Sequence, residues 1–431
     1  MTSVLQSRLD VFTSKLRVLV GADCVSTDLA ARRKASADWA KMSPILEAQL
    51  PLGLADLVVY PSSADQVAPI VALAVEHAVP VTPRGKGTGN YGQAIPMRGG
   101  LVVDLSRATA VLEIGDGYLV AEAGAKMTTL ESVARDHGQQ LWMYPSTGGS
   151  SLGGFLAGGS GGTGTIAHGS NMDGFVTALD VAHADGSSEL VSVSGAEVDT
   201  YLHAYGVTGI LARATVRLEP LQDWRGLFCS FETFEQALPM VRELGRLSPR
   251  PRLVSADVPQ VVATLPRDRG YPHGRASLRS IIDVEALDTA VAMVENAGGR
   301  VEDIRQGPQT GAKLSSLSYN HPTWHLQRTA PGKYFHVEVG GDALVDRFAE
   351  VNQVYDGSML HIEAGHRAPI GMLNGIYHSP EQVYDGIDRL RELGVAVHSP
   401  HQWFVDRNVE AVRAHAARVD PHGLLNPGKL V

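Results

Sequence analysis

Val81-Thr82-Pro83-Arg84-Gly85-Lys86-Gly87-Thr88-Gly89-Asn90-Tyr91-Gly92 carries four glycines in eight residues. An apolar-rich run from Asp65 to Val81, helical and then strand-like, leads into it. Where the loop turns, side chains are nearly absent, so successive N–H groups can converge on one anion at little conformational cost. Arg84 and Lys86 add charge suited to a diphosphate. The stretch reads as a phosphate cradle, although an ordinary turn is the alternative for any single loop of this kind. GxxxxGK[ST] is absent, and the glycines do not follow the GxGxxG turn that opens a dinucleotide-binding helix.

A second stretch, Ser146 to Asp173, holds nine glycines in its first nineteen residues. A plain connection does not carry that much conformational entropy. Two such loops point to one long ligand held by backbone on two sides.

These motifs resemble those of the vanillyl-alcohol oxidase and p-cresol methylhydroxylase flavoproteins. PRGKGTG is similar to their first flavin-diphosphate loop, and Ser151-Leu152-Gly153-Gly154-Phe155-Leu156-Ala157 to their TIGGNxA. His168-Gly169 with Asp173 stands at their Tyr-Gly and following Asp. Ala184-Asp185-Gly186 matches their ADG hairpin, Gly209-Ile210 through Pro220 their GIxTxxTLRLxP, and Asp420 to Leu430 their DPxGxLNPGKL. The resemblance covers residues 50–220 and 396–431 and is weak between them. It assigns to FAD the residues Arg84, Gly85, Lys86, Gly87, Thr88, Gly89 and Asn90 of the first loop, and Ser151, Leu152, Gly154 and Gly161 of the second. His168, Asp173, Ile210 and Asn426 follow at the remaining motif positions.

A chain of 431 residues exceeds a single typical core, so two domains are expected. The net charge of −9 argues against a nucleic-acid partner. Cys24 and Cys229 are the only cysteines, which supports neither a disulfide framework nor an iron–sulfur cluster. Without a signal-like apolar stretch in residues 1–20 or a long apolar run elsewhere, the expectation is a cytoplasmic protein with no transmembrane segment.

Apolar spacing predicts a helix over residues 3–20 (Val4, Leu5, Leu9, Phe12, Leu16) and another from Asp65 to His77 with Ser63 as its cap. Strands are expected at 57–61, 79–82, 101–105, 118–124, 176–184 and 190–193, with a helix over 128–137. From Trp224 a strand-then-helix rhythm suits a separate antiparallel sheet covered by helices. The elements give an α+β fold class, and the resemblance implies a two-subdomain FAD-binding domain of the p-cresol methylhydroxylase type over 1–222, an antiparallel α+β cap over 223–395, and a C-terminal return over 396–431.

The resemblance also carries chemistry. Relatives that attach FAD covalently use a histidine in the first loop or a cysteine in the second. Thr88 stands at the first position and no cysteine lies near residue 147, so non-covalent FAD is expected, a histidine link from the cap half being the alternative. His361-Ile362-Glu363-Ala364-Gly365-His366 partly resembles the HxGDGNxH segment of the glycolate oxidase D-subunit and D-2-hydroxyacid dehydrogenases, and Pro400-His401 their Glu-His. Those segments supply a metal and a base. Here Ala364, Ala368 and Pro400 replace an aspartate, a histidine and a glutamate, which counts against the family's divalent metal. His361, Glu363, His366 and His401 form an alternative zinc set.

His361 and His401 are the expected acid–base residues, since imidazole suits proton abstraction near neutrality. The alternative for His361–Glu363 and His336–Glu338, each pair on one strand face, is a buried hydrogen-bonded pair. Asn320 to Arg328 reads as a pocket-lining loop, placing His321, Trp324 and Arg328 with His366 at the substrate; a solvated loop with Trp324 packed inward is the alternative. The implied reaction is hydride transfer from a small hydroxylated substrate, first a 2-hydroxy acid, to flavin N5. An alcohol or phenol oxidase and a non-catalytic FAD-binding subunit are the other readings. The electron acceptor stays open among oxygen, a quinone and a carrier protein, as does assembly into a homo-oligomer.

Overall fold

The computed structural model describes residues 2–431, with side chains from Arg8 onward; Val4 and Leu5 therefore lie outside the described side chains. Three sheets organise the chain. In the first, Leu57–Val59, Leu101–Asp104 and Val81–Arg84 run parallel, and Val25–Ser26 joins antiparallel to Leu57–Val59. The apolar runs of these strands are buried on both faces, as parallel strands require. Helix Val67–Glu76 crosses over and returns the chain to the Val81–Arg84 edge, which delivers the first glycine loop at its C-terminal end. The C-terminal tail closes on the same strand: the Val81 N–H donates to the Leu424 carbonyl and the Asn426 N–H to the Val81 carbonyl, each at 2.7 Å.

The second sheet is antiparallel, in the order Val111–Gly115, Tyr118–Glu122, Ile210–Pro220, Val176–Ala182, Val191–Ser194; Gln139–Leu141 pairs with the far end of Ile210–Pro220. One apolar core joins it to the first sheet. The second glycine stretch is partly helical rather than loop. Ser151 caps helix Leu152–Gly158 by accepting from the Gly154 N–H at 3.3 Å. Leu152, Phe155 and Leu156 bury its apolar side in the shared core, so packing outweighs the poor helix propensity of glycine.

The third sheet has eight antiparallel strands: Arg300–Gln306, Trp224–Phe231, Ala276–Asp283, Leu253–Asp257, Met359–Glu363, Ile370–Ile376, Tyr334–Gly340 and Ala396–His398. Strand alternation sorts its side chains. Leu360, Ile362, Val337 and Val339 enter the core with helices Phe234–Leu244, Leu287–Asn296 and Pro380–Glu392. His361, Glu363, His336 and Glu338, interleaved with them, point to the opposite face. Helix Pro380–Glu392, capped by Ser379 with Pro380 in its first turn, and strands Leu253–Asp257, Arg300–Gln306 and Ile370–Ile376 stand outside the elements expected from the sequence. The 320–328 segment, expected as a loop, is helix Asn320–Thr329, with Pro322, Thr323 and Leu326 buried. No helix among the described residues is long and apolar enough to cross a membrane.

Candidate functional site

A cavity of about 780 Å³ runs from the two glycine loops to the polar face of the third sheet. The loops touch each other. A Cβ on Gly85 would sit 1.9 Å from Ser151 Oγ, and Thr88 Oγ1 lies 2.8 Å from Ser150 Oγ. Gly87 has φ +64°, and a Cβ there would strike the Arg84 guanidinium. Arg84 itself is turned into the protein, donating to the carbonyls of Ala35 and Ala37 at 3.2 and 2.7 Å. It braces the loop from beneath, while Lys86, which makes no ion pair among the described residues, is the loop's free cation.

The structure places Arg84, Gly85, Lys86, Gly87, Thr88, Gly89, Asn90, Ser151, Gly154, Gly161, Ile210 and His361 on the cavity wall. Other expected residues lie off it. Leu152 is buried in the core under the second loop. His168 stacks on Trp142 at 4.4 Å and pairs with Glu219 at 3.0 Å. Asp173 accepts from the Ser170 N–H and hydroxyl, closing a turn. Asn426 donates to the carbonyls of Gln93 and Tyr205, tying the C-terminal tail to the first loop.

The expected substrate residues are also elsewhere. Arg328 is exposed and lies over Trp324 at 4.3 Å, and Trp324 in turn contacts Trp39. His366 donates from Nδ1 to the Ile166 carbonyl at 3.1 Å. His321 sits half-buried on helix Asn320–Thr329, its pKa lowered by burial.

The two expected bases differ sharply. His401 is buried off the cavity, with Nδ1 2.7 Å from Ser43 Oγ. Burial, and then the neighbouring His336, lower its pKa to about 3. His361 is held between two carboxylates: Nδ1 is 2.9 Å from Asp257 Oδ1 and Nε2 is 2.9 Å from Glu363 Oε1. Burial alone would lower its pKa, but Asp257 and Glu363 outweigh burial and raise it to about 9. With both nitrogens donating, this imidazolium has no lone pair for a substrate proton.

A second arrangement of the same kind was missed in the sequence. His398 donates to Glu338 Oε2 at 2.9 Å and to Asp406 Oδ2 at 2.7 Å. Its pKa, which burial would lower, is raised by these carboxylates to about 10. Tyr91 of the first loop donates to the other Glu338 oxygen. Both arrangements arise from strand register, since Asp257 is paired across the sheet with His361 and Glu338 with His398. The spacing of His361 and Glu363 was readable; Asp257, more than a hundred residues away, carries no local signal. Among the described residues no group of three His, Cys, Asp or Glu side chains is arranged to hold a metal ion, and His366 and His401 each make their contacts away from the His361–Glu363 pair.

Residues 55–192 match a family model described as FAD binding domain. A D-lactate dehydrogenase of Archaeoglobus fulgidus is 32% identical over 202 residues, 44% of this chain and 45% of that protein. A glycolate oxidase subunit GlcD of Bacillus subtilis is 28% identical over 200 residues, 44% of this chain and 42% of that protein. The chain thus spans less than half the length of these curated relatives. Among solved structures, alkyldihydroxyacetonephosphate synthase superposes with TM-score 0.77 at 16% identity, covering 97% of this chain and 85% of that one. The 4-ethylphenol oxidase of Gulosibacter chungangensis gives 0.69 at 17%, covering 98% and 97%.

The cradle fits the cofactor. Its glycines let the two loops and the Arg84 guanidinium pack closely, and one cavity is lined by both loops and by the polar face of the third sheet. Residues 55–192 therefore carry an FAD binding domain, and the chain as a whole shares the α+β fold of alkyldihydroxyacetonephosphate synthase and 4-ethylphenol oxidase.

Proposed function

We propose that this protein is an FAD-dependent oxidoreductase taking a hydride from a small hydroxylated substrate, with residues 1–222 and 396–431 holding the cofactor and 223–395 capping the substrate. The observation that carries this reading is the single cavity joining the glycine loops to the polar face of the third sheet. FAD, when bound, supplies a two-electron acceptor for the hydride. Backbone N–H groups of the first loop and Lys86 suit its diphosphate. Thr88, whose hydroxyl lies against Ser150, offers no attachment point, so the cofactor is held without a covalent bond.

A 2-hydroxy acid is the first substrate class, supported by relatives named for lactate and glycolate. The wall itself favours a second reading, a neutral alcohol or phenol. His361 and His398 have both ring nitrogens engaged, and Arg407 is paired with Asp199 at 2.6 Å. Among the described residues, the sheet side of the cavity therefore presents no unpaired cation for a substrate carboxylate.

Anaerobic mixing of the yellow protein with glycolate, D-lactate, D-2-hydroxyglutarate and 4-ethylphenol separates these readings. Bleaching of the flavin band by one class identifies the enzyme and its substrate. Bleaching by none overturns the proposal in favour of a non-catalytic FAD-binding subunit. Heat precipitation should leave the chromophore in the supernatant; flavin retained on the denatured chain would overturn non-covalent binding.

A further inference from the structure

Two cavity-lining residues have a buried side-chain atom without a hydrogen-bond partner among the described residues, Asn320 Oδ1 and Glu363 Oε2. Of the two, only Glu363 carries a carboxylate, the better proton acceptor. Its other oxygen, Oε1, is fixed by the Tyr319 N–H at 2.7 Å and by His361 Nε2 at 2.9 Å. The carboxylate is therefore aimed rather than free to rotate, and it is only 1% exposed. Tyr319, held at φ +53°, also donates its hydroxyl to the Gly162 carbonyl at 2.7 Å, so it bridges Glu363 to the far end of the second glycine loop. A buried carboxylate oxygen left without a donor is costly and calls for one.

The titratable groups beside it are each already engaged. His361 and His398 have no open nitrogen, and Glu338 has both oxygens occupied, by Tyr91 and His398. Arg279 is paired with Asp257 behind His361, so positive charge backs the carboxylate without blocking Oε2.

We propose that Glu363 Oε2 is the proton acceptor for the substrate hydroxyl. This rests on the oxidoreductase reading above. As the hydroxyl O–H bond breaks, its proton passes to Oε2 to give a neutral carboxylic acid. The C–H bond breaks with its electron pair, which leaves as hydride for the oxidised flavin, and the carbinol carbon becomes a carbonyl. His361 and Tyr319 act as positioning residues that hold Oε1 and so direct Oε2.

The test uses flavin-loaded Glu363→Gln, which keeps an oxygen for the Tyr319 and His361 donors. The probe is whichever of glycolate, D-lactate, D-2-hydroxyglutarate or 4-ethylphenol bleaches the wild type. The expected result is unchanged FAD content, unchanged bleaching by dithionite, and substrate-driven reduction slowed by about 10²–10⁴-fold. The infrared difference spectrum of the wild type on substrate reduction should show a new protonated carboxyl band that the variant lacks. A merely structural role would not produce that band. Reduction at the wild-type rate, or persistence of the band in the variant, overturns the assignment to Glu363 while leaving the oxidoreductase reading intact. A wild type bleached by no probe overturns both. Should Glu363→Gln lose FAD, Glu363→Asp decides: slowed reduction with a shifted carboxyl band supports the assignment, and an unaltered rate and band overturn it.

Discussion

His361 and His401 are both buried imidazoles, yet their surroundings drive them to opposite charge states. His401 has a hydroxyl on one side and protein interior on the other, so it is neutral; His361 lies between two carboxylates and is protonated. His401→Asn should therefore leave flavin reduction near the wild-type rate. Loss of the Ser43 contact should lower stability by about 1–3 kcal/mol, read from denaturant unfolding. A large fall in reduction rate at full FAD content would return His401 to the mechanism. For His361 the sign follows from a folded-state pKa of about 9 against an ordinary 6.5. The stabilisation is complete below the ordinary value and is lost as pH rises through about 9. Lys429, whose pKa burial lowers to about 7 against the opposing pull of Asp38, contributes in the opposite sense over part of that range. The effect is therefore read as a difference: the stability gap between wild type and His361→Gln should narrow as pH rises from neutrality past 9. A gap independent of pH would show that His361 is neutral in the folded protein.

At the scale of elements, the cofactor cradle depends on two loops packing directly against each other. Gly85→Val would drive a side chain into Ser151 Oγ, the cap of helix Leu152–Gly158. The cap loss alone costs about 1 kcal/mol, and parting the loops should weaken FAD binding by at least about tenfold in a protein that remains folded. Gly149 is the control in the same stretch, because a Cβ there meets nothing within 4 Å. Gly149→Ala should keep its FAD. Equal FAD affinity in the two variants, by flavin fluorescence titration, would contradict loop-on-loop packing. The glycine density of both stretches was legible because it is local composition. Which glycines face the other loop was not, since that depends on how the two sheets bring the stretches together.

For the whole molecule, Arg252 joins the third sheet to the FAD-binding half. It is buried, donates to Glu131 Oε1 at 2.8 Å and to the Leu141 carbonyl at 2.7 Å, and lies over the rings of Tyr144 and Trp224. Tyr144 belongs to the chain just before the second glycine stretch, so this contact sets how the polar sheet face meets the loops. Arg252→Met removes the guanidinium from Glu131, which keeps the Leu141 N–H at 3.0 Å and Arg135 at 3.9 Å, and should destabilise the protein by about 1–3 kcal/mol. Flavin release should also begin at a lower temperature than in the wild type. A thermal midpoint unchanged by the substitution would show that other contacts set the junction.

Local composition and periodicity determined a great deal: the two glycine loops, the strand feeding the first of them, and the alternating strands of the cap. These features depend on residues close in the chain, where backbone freedom and side-chain period are written directly. The departures at Ala364 and Pro400 were equally plain from residue type. The tertiary structure alone decided which histidine reaches the cavity, because burial and distance are not local properties. It made 320–329 a helix through packing of Pro322, Thr323 and Leu326, and it turned Arg84 beneath its loop. It also created both carboxylate–imidazolium–carboxylate groups, since a charge on one strand acquires its partner only when register places a distant strand beside it.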